Sequence, residues 1–99
     1  MACYFIAQLN IHDRERYAQY LEGTDGPLAA HRARVLAVDQ AVTVLEGEWP
    51  FGRTVVIEFP TRAHLEAWYS SPGYRKIAAH RHAAATGNAV LVHGPGEHP

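Results

Sequence analysis

Arg81 is the hardest residue to place on structural grounds alone. At helical spacing it shares a stripe with Tyr74, Ile77, Ala78 and Ala85, a face that turns toward the sheet. A guanidinium cannot be neutralised, so its burial demands an acidic partner or a bound anion. Glu58 is the expected protein partner because it interrupts an apolar strand. A structural Arg81–Glu58 bridge, or an Arg81 that buries its stem and snorkels its head to solvent, is the plainer alternative to a binding role. Trp68 and Tyr74 flank a helix break, where their rings can wall one end of a cavity between helices and sheet. Plain core packing is the competing role for such aromatics. Tyr17 and Tyr20 would supply the opposite wall. His31 would sit near them as the only histidine on an apolar stripe. Its ring suits proton transfer, although a hydrogen-bonded core or rim histidine is the simpler assignment. The expected ligand-binding set is therefore Tyr17, His31, Glu58, Trp68, Tyr74 and Arg81, with no residue assigned to catalysis.

Other chemistries find no support in the spacing. His80 and His82 fall on different helix faces, His98 sits in the tail, and no H-E-x-x-H or Cys-His pattern occurs among the 7 histidines. Cys3 is the single cysteine and reads as a small buried hydrophobe, with no disulfide and no thiolate cage. There is no glycine-rich phosphate loop, nucleophile elbow or Cys/His pair. Neither a metal nor another cofactor is expected. With a net charge of −1 and dispersed basic residues, nucleic acid is not an expected partner.

The positioning elements must fit one domain, since 99 residues allow no more. The composition, 47% apolar and 19% charged, is that of a globular chain. No basic, apolar leader and no bilayer-length apolar run is present, so a reducing cytoplasm without membrane contact is the expected setting.

Cys3 to Leu9 alternates on two partly apolar faces and reads as a strand. Asp13 offers an N-cap for a helix with Tyr17, Tyr20 and Leu21 on one side. Gly23, Gly26 and Pro27 interrupt it, and Pro27 can open a second piece carrying Leu28, His31 and Val35. Val35 to Glu46 is β-like, best read as one long strand with a bulge or kink at Asp39-Gln40. The chain should reverse at Trp49-Pro50-Phe51-Gly52, with Gly52 taking the positive φ.

Arg53 to Phe59 is the clearest strand, with Val55, Ile57 and Phe59 on one face and Thr54, Val56 and Glu58 on the other. Thr61 caps a helix with Leu65, Trp68 and Tyr69 as its stripe. Ser71-Pro72 breaks that helix and starts another, which Gly87 should end. Asn88 to His93 is a last strand, and 95–99 a flexible tail beyond a domain of residues 1–94. The order is strand, helix, strand, strand, helix, strand: an α+β, ferredoxin-like βαββαβ sandwich with helices on one face of an antiparallel sheet. Apolar residues on the other face predict pairing of two chains, sheet against sheet.

The words V-L-E-G-x-W-P, V-V-I-E-F-P and A-W-Y-x-S-P-x-Y, within LEGEWPFGRTVVIEFPTRAHLEAWYSSPGYRKI and with the earlier HDRERYAQYL, resemble the bacterial family called domain of unknown function 1330. The likeness runs from about Tyr4 to Val92. It implies a ferredoxin-like fold paired into a dimeric α+β barrel, and no general reaction. Gly73 stands where many members carry Glu, which removes a possible acid from the rim, and glycine often stands near the Asp39-Gln40 break.

Three functions follow from these residues. The first is a homodimer binding a small, partly apolar ligand in a cleft between helices and sheet. The alternative is a cofactor-free enzyme of the dimeric-barrel monooxygenase or isomerase type. A structural dimer without a site is the third.

Overall fold

The computed structural model describes residues 1–96. His98 and the rest of 97–99 lie outside the described residues. The elements are β1 (Cys3–Ile11), α1 (Arg14–Glu22), α2 (Asp25–Ala30), β2 (Arg34–Asp39), β3 (Arg53–Phe59), α3 (Arg62–Ser70), α4 (Pro72–Ala84) and β4 (Ala85–His93). The sheet order is β2-β3-β1-β4, and every neighbouring pair is antiparallel. This is the ferredoxin-like arrangement, in which each β-α-β unit leaves a gap that a strand of the other unit fills.

Capping explains where the helices begin. Asp13, Thr61 and Ser71 each hold extended backbone and accept a hydrogen bond from the N–H of the third residue on, namely Arg16, His64 and Tyr74. Pro72 opens α4, where a missing N–H costs nothing. Alternation then sorts the sheet. Cys3, Phe5, Ala7 and Leu9 turn toward the helices and are buried, as are Arg53, Ile57 and Phe59 across the ladder. The core sits between this face and the rings of Tyr17, Tyr20, Trp68 and Tyr74. Trp68 is its centre, 4.1 Å from the Tyr74 ring and 5.1 Å from both Phe5 and Phe59.

Several expectations from the sequence are corrected. Strand β2 stops at Asp39 instead of running on to Glu46, and its bulge lies between Val35 and Ala37. The Asp39 carboxylate accepts the Ala41 N–H at 3.0 Å, which turns the chain away after the Asp39–Thr54 pair, although the Val42 N–H still reaches the Gly52 carbonyl at 3.3 Å. Between the strands, the positive φ falls at Gly47 (75°) and not at Gly52. Pro27 lies in the first turn of α2, not at its first position, and α2 ends before His31. At the other end, α4 stops at Ala84 and β4 starts at Ala85, so Gly87 is a strand residue. Its role is close approach: any Cβ there would run into the Gln8 carbonyl and the Leu9 side chain.

The outer face of the sheet reads across in rows. Ala37, Val56, Ile6 and Val90 make an apolar row beside one of Arg34, Glu58, Tyr4 and Val92. No described helix covers them, and Val90 is 54% exposed. Among the described residues no helix is long and apolar enough to cross a membrane.

Candidate functional site

A cavity of about 160 Å³ opens between the sheet and the helices. Its floor is Phe5, Ala7 and Leu9 of β1 with Val55 and Ile57 of β3. Tyr17, Tyr20 and Leu21 of α1 form the roof, and Trp68 closes one side. Val35 and Val38, about half exposed, form the edge where β2 lies beyond the helices. Pleating positions all of these residues, since one strand face in register supplies the floor and one helix face the roof.

Two guanidiniums interrupt this apolar lining. Arg53 is 8% exposed and Arg81 only 6%. Arg53 donates from Nε to the Tyr17 hydroxyl at 3.1 Å and lies 5.1 Å from that ring's centre. Arg81 lies 6.0 Å from the ring centres of both Phe5 and Tyr20 and donates from Nη2 to Nε2 of His82 at 3.1 Å. Neither arginine has a salt bridge; among the described residues these join Arg34 to Glu58 and Arg62 to Glu66. Asp25, the one carboxylate on the lining, is exposed at the rim. Ring faces compensate a buried cation by roughly 0.5–2 kcal/mol each, against a desolvation penalty of several kcal/mol.

Two buried side-chain nitrogens on this lining, Nε of Arg81 and Nε1 of Trp68, lack a hydrogen-bond partner. Nearby, the Tyr20 and Tyr74 hydroxyls are 3.0 Å apart. Burial is the main cause raising both phenols above their ordinary ionisation range, Tyr20 strongly, with Arg81 pulling the other way. They are therefore neutral at physiological pH and leave Arg81 without a counter-charge. Burial, then the neighbouring Arg81, pushes the His82 imidazole below its usual value, so His82 acts as a neutral acceptor.

The fold brings Tyr17, Trp68 and Arg81 together on the cavity. Tyr74 stands behind Trp68 and is not part of the lining. Two of the six expected residues are elsewhere. Glu58 points to the outer face and accepts from Arg34 at 2.9 Å, so the Arg81–Glu58 bridge does not exist. The strand's own alternation is the reason, because Glu58 is out of phase with Ile57 and Phe59. His31 follows α2 and donates from Nδ1 to the Pro27 carbonyl at 2.8 Å, away from the lining. Arg53 is the functional candidate that sequence reasoning missed. The signal was present: the period that puts Val55, Ile57 and Phe59 inside also puts Arg53 inside.

A wider groove of about 620 Å³, open to solvent, adjoins the cavity and shares Leu9, Tyr17, Leu21 and Arg53 with it. Arg53 therefore stands between the groove and the enclosed space. Among the described residues no cluster of three or more His, Cys, Asp or Glu is arranged for a metal.

Solved structures share this architecture. A protein of unknown function from Rhodopseudomonas palustris superposes with a TM-score of 0.78 at 17% identity, over 92% of this chain and 80% of its own. A dimeric ferredoxin-like protein of unknown function from Jannaschia sp. CCS1 gives 0.70 at 13% identity, over 95% and 100%. SnoaB, a cofactor-independent oxygenase from Streptomyces nogalater, gives 0.66 in its N63A form at 13% identity, over 99% and 97%. No curated protein matches the sequence. At such identities the likenesses concern the fold. The family model for the domain of unknown function DUF1330 matches residues 2–95, and the chain belongs to that family.

Proposed function

We propose that this chain binds a small, partly apolar ligand in the cavity between helices and sheet, acting as a homodimer paired through the outer sheet face. One observation carries the binding reading: the lining of a mostly apolar cavity includes Arg81 and Trp68, each with a buried side-chain nitrogen that no protein group satisfies. A folded chain gains nothing from such donors by itself, since each forfeits a hydrogen bond it would make in water. The uncovered row Ala37, Val56, Ile6 and Val90 supports the dimer, as does the dimeric state named for the Jannaschia protein.

A thermal-shift screen of small aromatic and alicyclic compounds tests the binding reading. A true ligand raises stability saturably, by about 2.7 kcal/mol at a hundredfold excess over Kd. Ala7→Leu, which fills the cavity floor, should abolish the shift. A shift that survives Ala7→Leu places the binding elsewhere, and a screen without a saturable hit removes the reading.

The enzyme alternative, a cofactor-free oxygenase or isomerase, is favoured by one local feature, the neutral Tyr20–Tyr74 hydroxyl pair beside Arg81. Tyr20, which is on the lining, can donate a hydrogen bond to a substrate oxygen, with the Tyr74 hydroxyl behind it as its partner. Turnover of a hit from the same screen, lost in Tyr74→Phe, would support it; a hit recovered chemically unchanged leaves binding as the function.

A further inference from the structure

The charge of the lining says more about the ligand than its shape does. Resting on the binding reading above, we propose that the cavity takes an anion: a delocalised oxyanion, carboxylate or phenolate, carried on a flat apolar ring. Its charged oxygen is held at the deep end by Nε of Arg81 and Nε1 of Trp68.

Four observations converge on this. Both donors are buried and unpartnered, on side chains that are 6% and 1% exposed. Both side chains pack against the same ring, the Trp68 ring centre 5.1 Å and the Arg81 guanidinium 6.0 Å from the centre of Phe5. The groups packed around Arg81 are neutral, namely the phenols of Tyr20 and Tyr74 and the His82 imidazole. The second buried cation has the same sign and lies farther along. Arg53 pairs with Leu9, four residues along β1 from Phe5, or roughly 13 Å at the rise of a strand. A positive, water-poor cavity stabilises an anion and penalises a cation. A neutral amide satisfies the two donors and leaves the charge uncompensated. A planar anion does both, with its ring body over Phe5 and Ala7. A cavity of about 160 Å³ fits one ring, and Arg53 at the junction with the wider groove favours entry of a negative charge.

The test compares benzoate and 4-nitrophenol with neutral benzamide, by calorimetry on the full chain. Benzoate or the nitrophenolate should bind at least about tenfold tighter than benzamide, the discrimination expected of charge-assisted hydrogen bonds. If the phenolate is the better ligand, the protein will also turn 4-nitrophenol yellow at a pH where the free phenol is colourless. Which of the two binds identifies the source of the oxyanion. Arg81→Met keeps the stem and should erase the preference, weakening benzoate by about tenfold or more and benzamide by no more than the roughly fivefold value of one hydrogen bond. Trp68→Phe removes one donor while keeping an aromatic ring at the site and should weaken the anion about fivefold, the value of one hydrogen bond. It also serves if the Arg81 variant does not fold. Equal binding of benzoate and benzamide, or a preference that survives Arg81→Met, overturns the charge assignment and leaves the binding reading standing. No saturable binding of any of the three at millimolar concentration also overturns it, whereas the general reading falls only with the broader screen.

Discussion

The two faces of the sheet invert the usual rule for a small domain. The helix-covered face buries Arg53 and Arg81 without an acid, while the outer face exposes Val90 and Val92 and sets its own arginine, Arg34, against Glu58. Arg34 and Arg81 make the contrast sharp. The first sits in solvent with a carboxylate at 2.9 Å, in an exposed pair worth at most about 1 kcal/mol. The second sits among aromatic rings with an orphaned nitrogen. Charge is paired where water would have solvated it anyway and unpaired where solvation is lost. A fold optimised only for its own stability would do the reverse, and the proposed anion inside and second copy outside would each supply what its face lacks.

The largest effect is expected from the aromatic packing at the centre of the inner face. Trp68→Ala removes the ring that joins Phe5, Phe59 and Tyr74, and should cost about 3–5 kcal/mol in urea denaturation. A loss below about 1 kcal/mol would show that the aromatic cluster is not the core's anchor. Next comes the outer face. Val90→Lys puts a charge in the middle of the apolar row, so the mass from light scattering should fall from twice 11.0 kDa to 11.0 kDa with the helical signal intact. A variant that stays dimeric locates the pairing on another surface.

The smallest effect sharpens the electrostatics around Arg81. Because burial and Arg81 hold His82 below its ordinary 6.5, the unfolded chain takes up this proton first as the pH falls. The group's contribution is thus intact above 6.5 and is lost as the pH drops from there toward the lower folded-state value. His82→Gln should flatten the stability–pH curve in that window, slightly, since the ring is largely exposed. An unchanged slope would mean that neither burial nor Arg81 lowers the His82 proton affinity on folding.

Much of this was legible in the chain. Strict alternation defined β1 and β3 and their buried faces, the cap residues Asp13, Thr61 and Ser71 fixed three helix starts, and Pro72 broke the second helical region where the structure breaks it. The family words in VVIEFP and AWYSSPGY come from those same local constraints. Such rules reach only a few residues along the backbone, and they are decided by period, dihedral preference and the nearest N–H. What lies across the chain was settled by tertiary pairing. The ladder of β2 with β3 ends at the Asp39–Thr54 pair, and Gly87 is required by Gln8 and Leu9 on another strand. The site follows the same division. The sequence alone marked Arg81, Trp68 and Tyr17 as out of the ordinary, by residue type and helical phase. Only the packed sheet could set Glu58 on the far face, His31 outside the lining and Arg53 within it, because facing and burial depend on which strands lie side by side.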